Sequence, residues 1–430
     1  MDDDLTRVAP GLQPAAAPPV DAGGHIAGAP DRAPAPAKRT YTAAPALPTQ
    51  EGPKGLRFDF NEGCRVFAPE SEQGWLVKLT DLDTGNILFE TEFKGGQVRS
   101  SKRYFVRFRL EVRQQDEVVL DHFYEGSGRE VLIQFPAGTL GDTIAWFPYA
   151  ARFREIHGCI LSCAMPMHLI PLFRDAYPDI EFVGLDHVDA ERYYATYIMV
   201  LHFNDVRCEH QRFEYQSVSL QSAGAHLLGV EPRETLPRIV VPLAARPLSE
   251  PYVCIAAHST MQAKFWNNPT GWRDIVAFLK GSGYRVICID QKATHGAGMV
   301  WTSMPEGAEN QTGDRPLQER AYWIAHAEFF IGLSSGLAWL AWALGKPVVL
   351  ISGFTHPTNE FQTPYRVINY HACNSCWNDV RVRFDHGDFL WCPRHRDTPR
   401  QFECTRLITA DHVKKTIREI PGFAQLPGAR

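Results

Sequence analysis

The sequence predicts an α/β protein of two Rossmann-like domains, with an antiparallel β domain before them and a four-cysteine metal finger after them. Three observations carry this reading. Short apolar runs alternate with helical periods in two blocks, 136–250 and 251–370. The preceding block, 54–135, alternates with period two between turn residues. Beyond both, Cys373, Cys376, Cys392 and Cys404 are spaced C-x2-C, then fifteen residues, C, then eleven, C.

With 430 residues, 44% hydrophobic and 22% charged, the chain can bury at least two cores. A net charge of −5 without a long basic run argues against non-specific nucleic-acid binding. Arg103 to Arg113 is the nearest approach, and it alternates like the wet face of a strand. Cys64, Cys159, Cys163, Cys208, Cys254 and Cys288 are scattered, mostly among apolar residues, as reduced thiols are in cytosolic proteins. No charged segment followed by an apolar run opens the chain, and no run reaches bilayer length. A cytoplasmic protein without a membrane span is expected.

Residues 1–53 are rich in Ala, Pro and Gly and poor in large apolar side chains, which predicts a disordered tail. Within 54–135, runs such as Trp75-Leu-Val-Lys-Leu-Thr, Ile87-Leu-Phe-Glu-Thr-Glu-Phe and Tyr104-Phe-Val-Arg-Phe-Arg-Leu predict strands. Asp83-Thr-Gly-Asn, Lys94-Gly-Gly and Glu125-Gly-Ser-Gly separate them. Glu130 to Phe135 leads into a helix near Asp142, and Cys159-Ile-Leu-Ser and Ile180-Glu-Phe-Val-Gly continue a first Rossmann-like half. A less regular connection follows. The second half opens at Tyr252 and continues at Tyr284, Phe329 and Pro347. Ligands bind such sheets at the carboxyl ends of their strands. The finger occupies 371–405, and a helix and tail, 406–430, close the chain.

The first strand end to carry chemistry is Pro136-Ala-Gly-Thr139-Leu140-Gly141-Asp142. Glycines there let backbone approach a ligand, and the first helical amides are anion donors. Asp142 either caps the helix or faces the cleft as a base for an attacking hydroxyl. In the second half, Ser259, Thr260 and Lys264, with Trp266 just beyond, follow a strand end; the lysine and hydroxyls suit a diphosphate, against the plain reading of a solvated loop with a packed tryptophan. Ser334, Ser335, Gly336 and Leu337 form another strand-to-helix turn able to hold phosphate oxygens. Neither a GxGxxG fingerprint nor a GxxxxGK[ST] loop occurs, so a nicotinamide enzyme and a P-loop NTPase are unsupported.

Two thiolates two residues apart and two more from a loop can complete a closed tetrahedral shell, which favours structural zinc, with iron second. Two disulfides or four unrelated thiols are the plainer alternatives. The segment from Trp377 to Trp391 has few large apolar residues to fold unaided.

Lys264-Phe-Trp266 after a strand, with Gly332-Leu-Ser-Ser-Gly-Leu-Ala-Trp-Leu-Ala-Trp-Ala-Leu-Gly-Lys-Pro, resembles the lipopolysaccharide heptosyltransferases. Ser334-Ser335-Gly336 replaces their Asp-Thr-Gly, and Asn267 replaces the proline of their Lys-x-Trp-Pro. Together with Gly138-Thr-Leu-Gly-Asp142, the β domain and the four cysteines, these departures make the chain similar to bacterial autotransporter heptosyltransferases over roughly 55–415. That resemblance implies a GT-B architecture, an ADP-heptose donor, serine acceptors on a passenger protein, a dodecamer, and one structural iron on the four cysteines. It also implies Asp142 as base, Lys264 on the diphosphate, and Trp266 with Ser334 to Leu337 on the donor. The alternatives are transfer to lipopolysaccharide or another glycan, and a non-catalytic metal-knuckle scaffold.

Overall fold

The computed structural model describes residues 41–241 and 245–423. Most of the expected tail lies outside them, but 41–53 is ordered, which moves that boundary. Thr42 exchanges hydrogen bonds with the Gln134 side chain, 3.0 Å from its amide and 2.8 Å to its carbonyl. Arg65 donates to the Pro45 carbonyl, and Gln50–Glu51 pairs with Arg57–Asn61. Polar partners from the body, together with burial of Pro45 and Pro48, hold this stretch, and both depend on residues distant in sequence, so composition did not reveal it.

An eight-stranded mixed sheet runs Glu181–Gly184, Ile160–Met165, Glu130–Gln134, Ala195–Ile198, Arg57–Asn61, Arg65–Ala68, Gly96–Arg99, with Gln50–Glu51 beside Arg57–Asn61. The first five are parallel neighbours and the remainder antiparallel. The expected β domain therefore does not stand apart. Three of its strands extend the first Rossmann-like sheet, and Trp75–Asp81, Ile87–Phe93, Phe108–Gln114 and Glu117–Phe123 form a separate antiparallel sheet. The cause is a buried polar knot. Arg65 grips Asp59 at 2.5 Å, Asn61 donates to Asp59 at 2.7 Å, and Thr196 from Ala195–Ile198 donates to Asn61 at 2.7 Å. Satisfying these groups away from water locks Arg57–Asn61 against the parallel strands.

The second sheet is wholly parallel, in the order Glu309–Asn310, Arg285–Cys288, Tyr252–Ile255, Phe330–Leu333, Val348–Ile351, Arg366–Val367. All four strands expected from the second block are present. Side chains of one strand divide between two cores, as period two requires. Cys254 and Ala256 join the larger core, while Val253 and Ile255 pack with Ile275, Leu279, Val413 and Ile417 of the Gly271–Gly281 and Ala410–Arg418 helices. The Leu140–His157 helix packs against Leu220–Leu227 and Gly336–Ala343, so the two halves meet along it. Among the described residues no helix is long and apolar enough to cross a membrane.

Candidate active site and metal centre

Thr139 is the extended residue before the Leu140–His157 helix, which makes Asp142 its third residue and not its cap. The Asp142 carboxylate accepts from the Thr139 hydroxyl at 2.5 Å. Burial raises its pKa above the ordinary carboxylate value, opposed by the Thr139 bond and by the charges of Lys264 and His386. Lys264 ends the Gln262–Lys264 turn that follows strand Tyr252–Ile255. Burial lowers its pKa, and Asp142 and Glu360 pull it back up. Its Nζ stands 5.4 Å over the Phe354 ring. An acid of the first half and a lysine of the second thus feel each other's charge at the junction.

The serine turn lies beside them. Ser259 donates to the Ser334 carbonyl at 3.4 Å, and Thr355 donates to the Ser334 hydroxyl at 3.3 Å. Ser335 precedes the Gly336–Ala343 helix, with its hydroxyl buried and without a partner among the described residues. Thr260 is exposed and Leu337 half-buried. Gly141 and Gly336 also serve the junction between the halves. A Cβ on Gly336 would lie 2.8 Å from Leu140 Cβ, and one on Gly141 would lie 3.1 Å from the Trp339 ring. These glycines, with Leu140, let the two helix starts touch, so part of their surface is spent on joining the halves.

Trp266 is a correction. It is 3% exposed, its indole N–H donates to the Ile408 carbonyl at 2.9 Å, and its ring packs with Trp272. A side chain so committed to the core is not a donor contact; the packed-tryptophan reading holds. Asn267, standing where the related motif has proline, donates to the Gln262 and Phe265 carbonyls and, at 2.8 Å, to the Thr405 hydroxyl. It ties the Lys264 turn to the segment that carries Cys404.

Two nearby residues were not legible in the sequence. His386, from the finger, lies within electrostatic reach of the pair: burial and then the Lys264 charge lower its pKa, and it in turn lowers that of Asp142. Its ring abuts Phe203 and Phe384 at 4.4 Å. Glu360 lies by Lys264 with one carboxylate oxygen on Arg366. Both come from irregular polar stretches, which read as solvated loops by pattern.

The four finger cysteines lie close enough for their charges to interact, but among the described residues their sulfurs are not gathered within ligand distance of one another. Burial raises the pKa of Cys373, Cys376 and Cys404, and neighbouring thiols of the set add to each, Cys373 reaching about 12. All ten cysteines are unbridged. Cys373, Cys376 and Cys404 are disfavoured as anions by burial unless a cation relieves them, and thiols of this kind suit a thiophilic metal. Donor atoms of Cys373, His395 and Glu403 also lie within 4.8 Å of one another. Glu403 is held by Arg400 at 2.8 and 2.6 Å and also takes the Cys373 thiol as a partner.

The finger is better packed than its sequence indicated. Trp377, Phe384, Phe389 and Trp391 cluster with Met261 and Phe354. From the first half, Gln216 Nε2 donates to the carbonyls of Trp377, Asp379 and Val382 at 3.0, 2.7 and 3.0 Å. Partners distant in sequence thus supply the core that the segment lacks alone.

Two sheets with parallel strands, in halves joined along the Leu140–His157 helix, make this a two-part α/β scaffold, and its likeness to known families places it in the glycosyltransferase class. A family model described as Glycosyltransferase family 9 (heptosyltransferase) matches residues 213–382, and one for the N-terminal domain of glycosyltransferase TibC matches 52–116. The autotransporter heptosyltransferase BAHTCr of Citrobacter rodentium is 50% identical over 382 residues, 88% of this chain and 92% of the relative. The crystal structure of the iron-containing dodecameric glycosyltransferase TibC from enterotoxigenic E. coli H10407 superposes with a TM-score of 0.85 at 49% identity, covering 88% of this chain and 99% of that one. TibC has also been crystallised with ADP-D-β-D-heptose. BimC of Burkholderia thailandensis, described as an inactive autotransporter heptosyltransferase, is 45% identical over 96% of this chain and 94% of its own length. The chain belongs to the autotransporter heptosyltransferase family.

Proposed function

We propose that this protein is a cytoplasmic protein O-heptosyltransferase of GT-B architecture, moving heptose from ADP-heptose to serines of an autotransporter passenger. The observation that carries it is the meeting of Asp142 and Lys264, each on a strand-to-helix connection of a different half, at one electrostatic centre. Asp142 takes the proton of the acceptor hydroxyl as that oxygen attacks the anomeric carbon. Its elevated pKa makes it a stronger base than an ordinary aspartate. Lys264, with the free amides that open the Gly336–Ala343 helix, stabilises the charge gathering on departing ADP. A single displacement inverts the anomeric centre.

Cys373, Cys376, Cys392 and Cys404 would hold one iron, by likeness to iron-containing TibC, with zinc the alternative for the same thiolates. Held there, the ion would supply structure rather than chemistry, bracing the loop that carries His386. A dodecamer is proposed on the same likeness. The test is incubation with ADP-heptose and a co-expressed passenger fragment, read by intact mass; a fragment unchanged in mass overturns the reading.

The inactive relative favours a second reading, a metal-finger scaffold that binds a passenger without modifying it. The two differ at Lys264. As an enzyme, the Lys264→Ala variant should bind ADP and ADP-heptose more weakly by roughly 1.5–3 kcal/mol, the worth of a charge-assisted phosphate contact. Calorimetry with unchanged ADP affinity would remove Lys264 from the donor site.

The raised Asp142 pKa also sets a pH limit. Transfer needs the carboxylate, so kcat/KM should fall on acidification with a midpoint above about 3.9, the ordinary aspartate value. An acid limb at or below that value would assign the base elsewhere.

A further inference from the structure

His386 lies on an irregular stretch of the finger and is exposed, yet its ring is firmly placed. Phe203 and Phe384 stand edge-on to it, each with 4.4 Å between ring centres, at 64° and 78°. Phe384 packs in turn on Phe354 at 5.8 Å, and over the Phe354 ring stands the Lys264 ammonium, at 5.4 Å. Phe203 follows strand Ala195–Ile198, and Phe354 follows strand Val348–Ile351. The imidazole is thus framed by rings delivered from the carboxyl end of a parallel strand in each half, which is where ligands of such sheets bind.

Neither ring nitrogen of His386 has a hydrogen-bond partner among the described residues, and an exposed ring leaves them open to a ligand. The charged groups that act on the ring come from three places: Lys264 of the second half, Asp385 beside it, and Asp142 of the first half. Burial and then the Lys264 charge hold its pKa below the ordinary histidine value, against the pull of the two carboxylates. Without a ligand the imidazole is therefore neutral at neutral pH. An anion arriving between it and Lys264 reverses the field at the ring and draws a proton onto it from solvent.

We propose that His386 is a donor-binding residue, reaching from the metal finger to the diphosphate of the sugar nucleotide and facing Lys264 across it. As an imidazolium it donates a charge-assisted N–H···O bond and offsets part of the charge that collects on ADP as the sugar leaves. The assignment rests on the ADP-heptose reading given above, and it gives the finger a part in holding the donor.

The experiment is calorimetric titration of ADP into the full chain as purified, in two buffers of different ionisation enthalpy, beside His386→Asn and His386→Lys. At about pH 7 the terminal phosphate, with a second pKa of about 6, is already largely ionised. The parent should take up protons as ADP binds. His386→Asn should take up fewer and bind about tenfold more weakly, the worth of one charge-assisted contact. His386→Lys carries a permanent charge, so it should regain affinity without the uptake. The sign is fixed by the bound state holding the extra proton: parental affinity falls as pH rises, and the asparagine variant loses most of that slope. Metal content and melting temperature equal to the parent's show that each variant keeps the finger intact. Binding of ADP by the parent with no proton uptake, or unchanged affinity and uptake in His386→Asn, would overturn the contact and leave a solvated histidine. A parent that binds no ADP at all would instead sink the donor reading on which the contact rests.

Discussion

Asp142→Asn should lose sugar transfer by about 10²–10⁴-fold while binding ADP-heptose nearly as the parent does. Asparagine keeps the size and can still accept from the Thr139 hydroxyl, so the helix start is preserved. What it lacks is the lone pair basic enough to take a proton. The same substitution carries a stability signature with a definite sign. The folded state raises the Asp142 pKa, mainly through burial, so it favours the protonated form. Such a group supports the fold below its unfolded pKa and loses that support as pH rises through the folded value. At neutral pH the charged carboxylate therefore burdens the fold, and Asp142→Asn should melt no lower than the parent, the gap closing on acidification. A well-folded variant that transfers at the parental rate would strip Asp142 of its role. One that melts markedly lower at neutral pH would return it to a structural part.

Replacing Cys376 or Cys392 with serine should remove nearly all of about one iron per chain and lower stability in step, because binding energy at a closed thiolate site is folding energy. The aromatic cluster of Trp377, Phe384, Phe389 and Trp391, and the Gln216 clamp, should confine the disturbance to the loop itself. Loss of metal is thus expected to open 377–391 to protease without unfolding the two sheets. Transfer should fall with it, since His386 lies on that loop within electrostatic reach of Asp142 and Lys264. Elemental analysis of the parent and both variants decides the matter. Zinc in place of iron would keep the site and change its metal; four titratable thiols and no metal in the parent would end it.

The sequence by itself determined the two α/β blocks, because buried parallel strands are written as short apolar runs and their crossovers as helical periods, both local signals. It also singled out the four cysteines and the strand-to-helix turns at Asp142, Lys264 and Ser334, since spacing and turn chemistry lie along the chain. Tertiary structure alone decided matters that depend on partners far apart in sequence. It joined Arg57–Asn61 to the first sheet through the Asp59, Asn61, Arg65 and Thr196 knot. It sent Trp266 into the core and spent Gly141 and Gly336 on the contact between halves. It also brought His386 and Glu360 to Lys264. A tryptophan past a strand end looks the same in sequence whether it stacks on a ligand or fills a core. Only the carbonyl that takes its N–H, 142 residues away at Ile408, distinguishes the two.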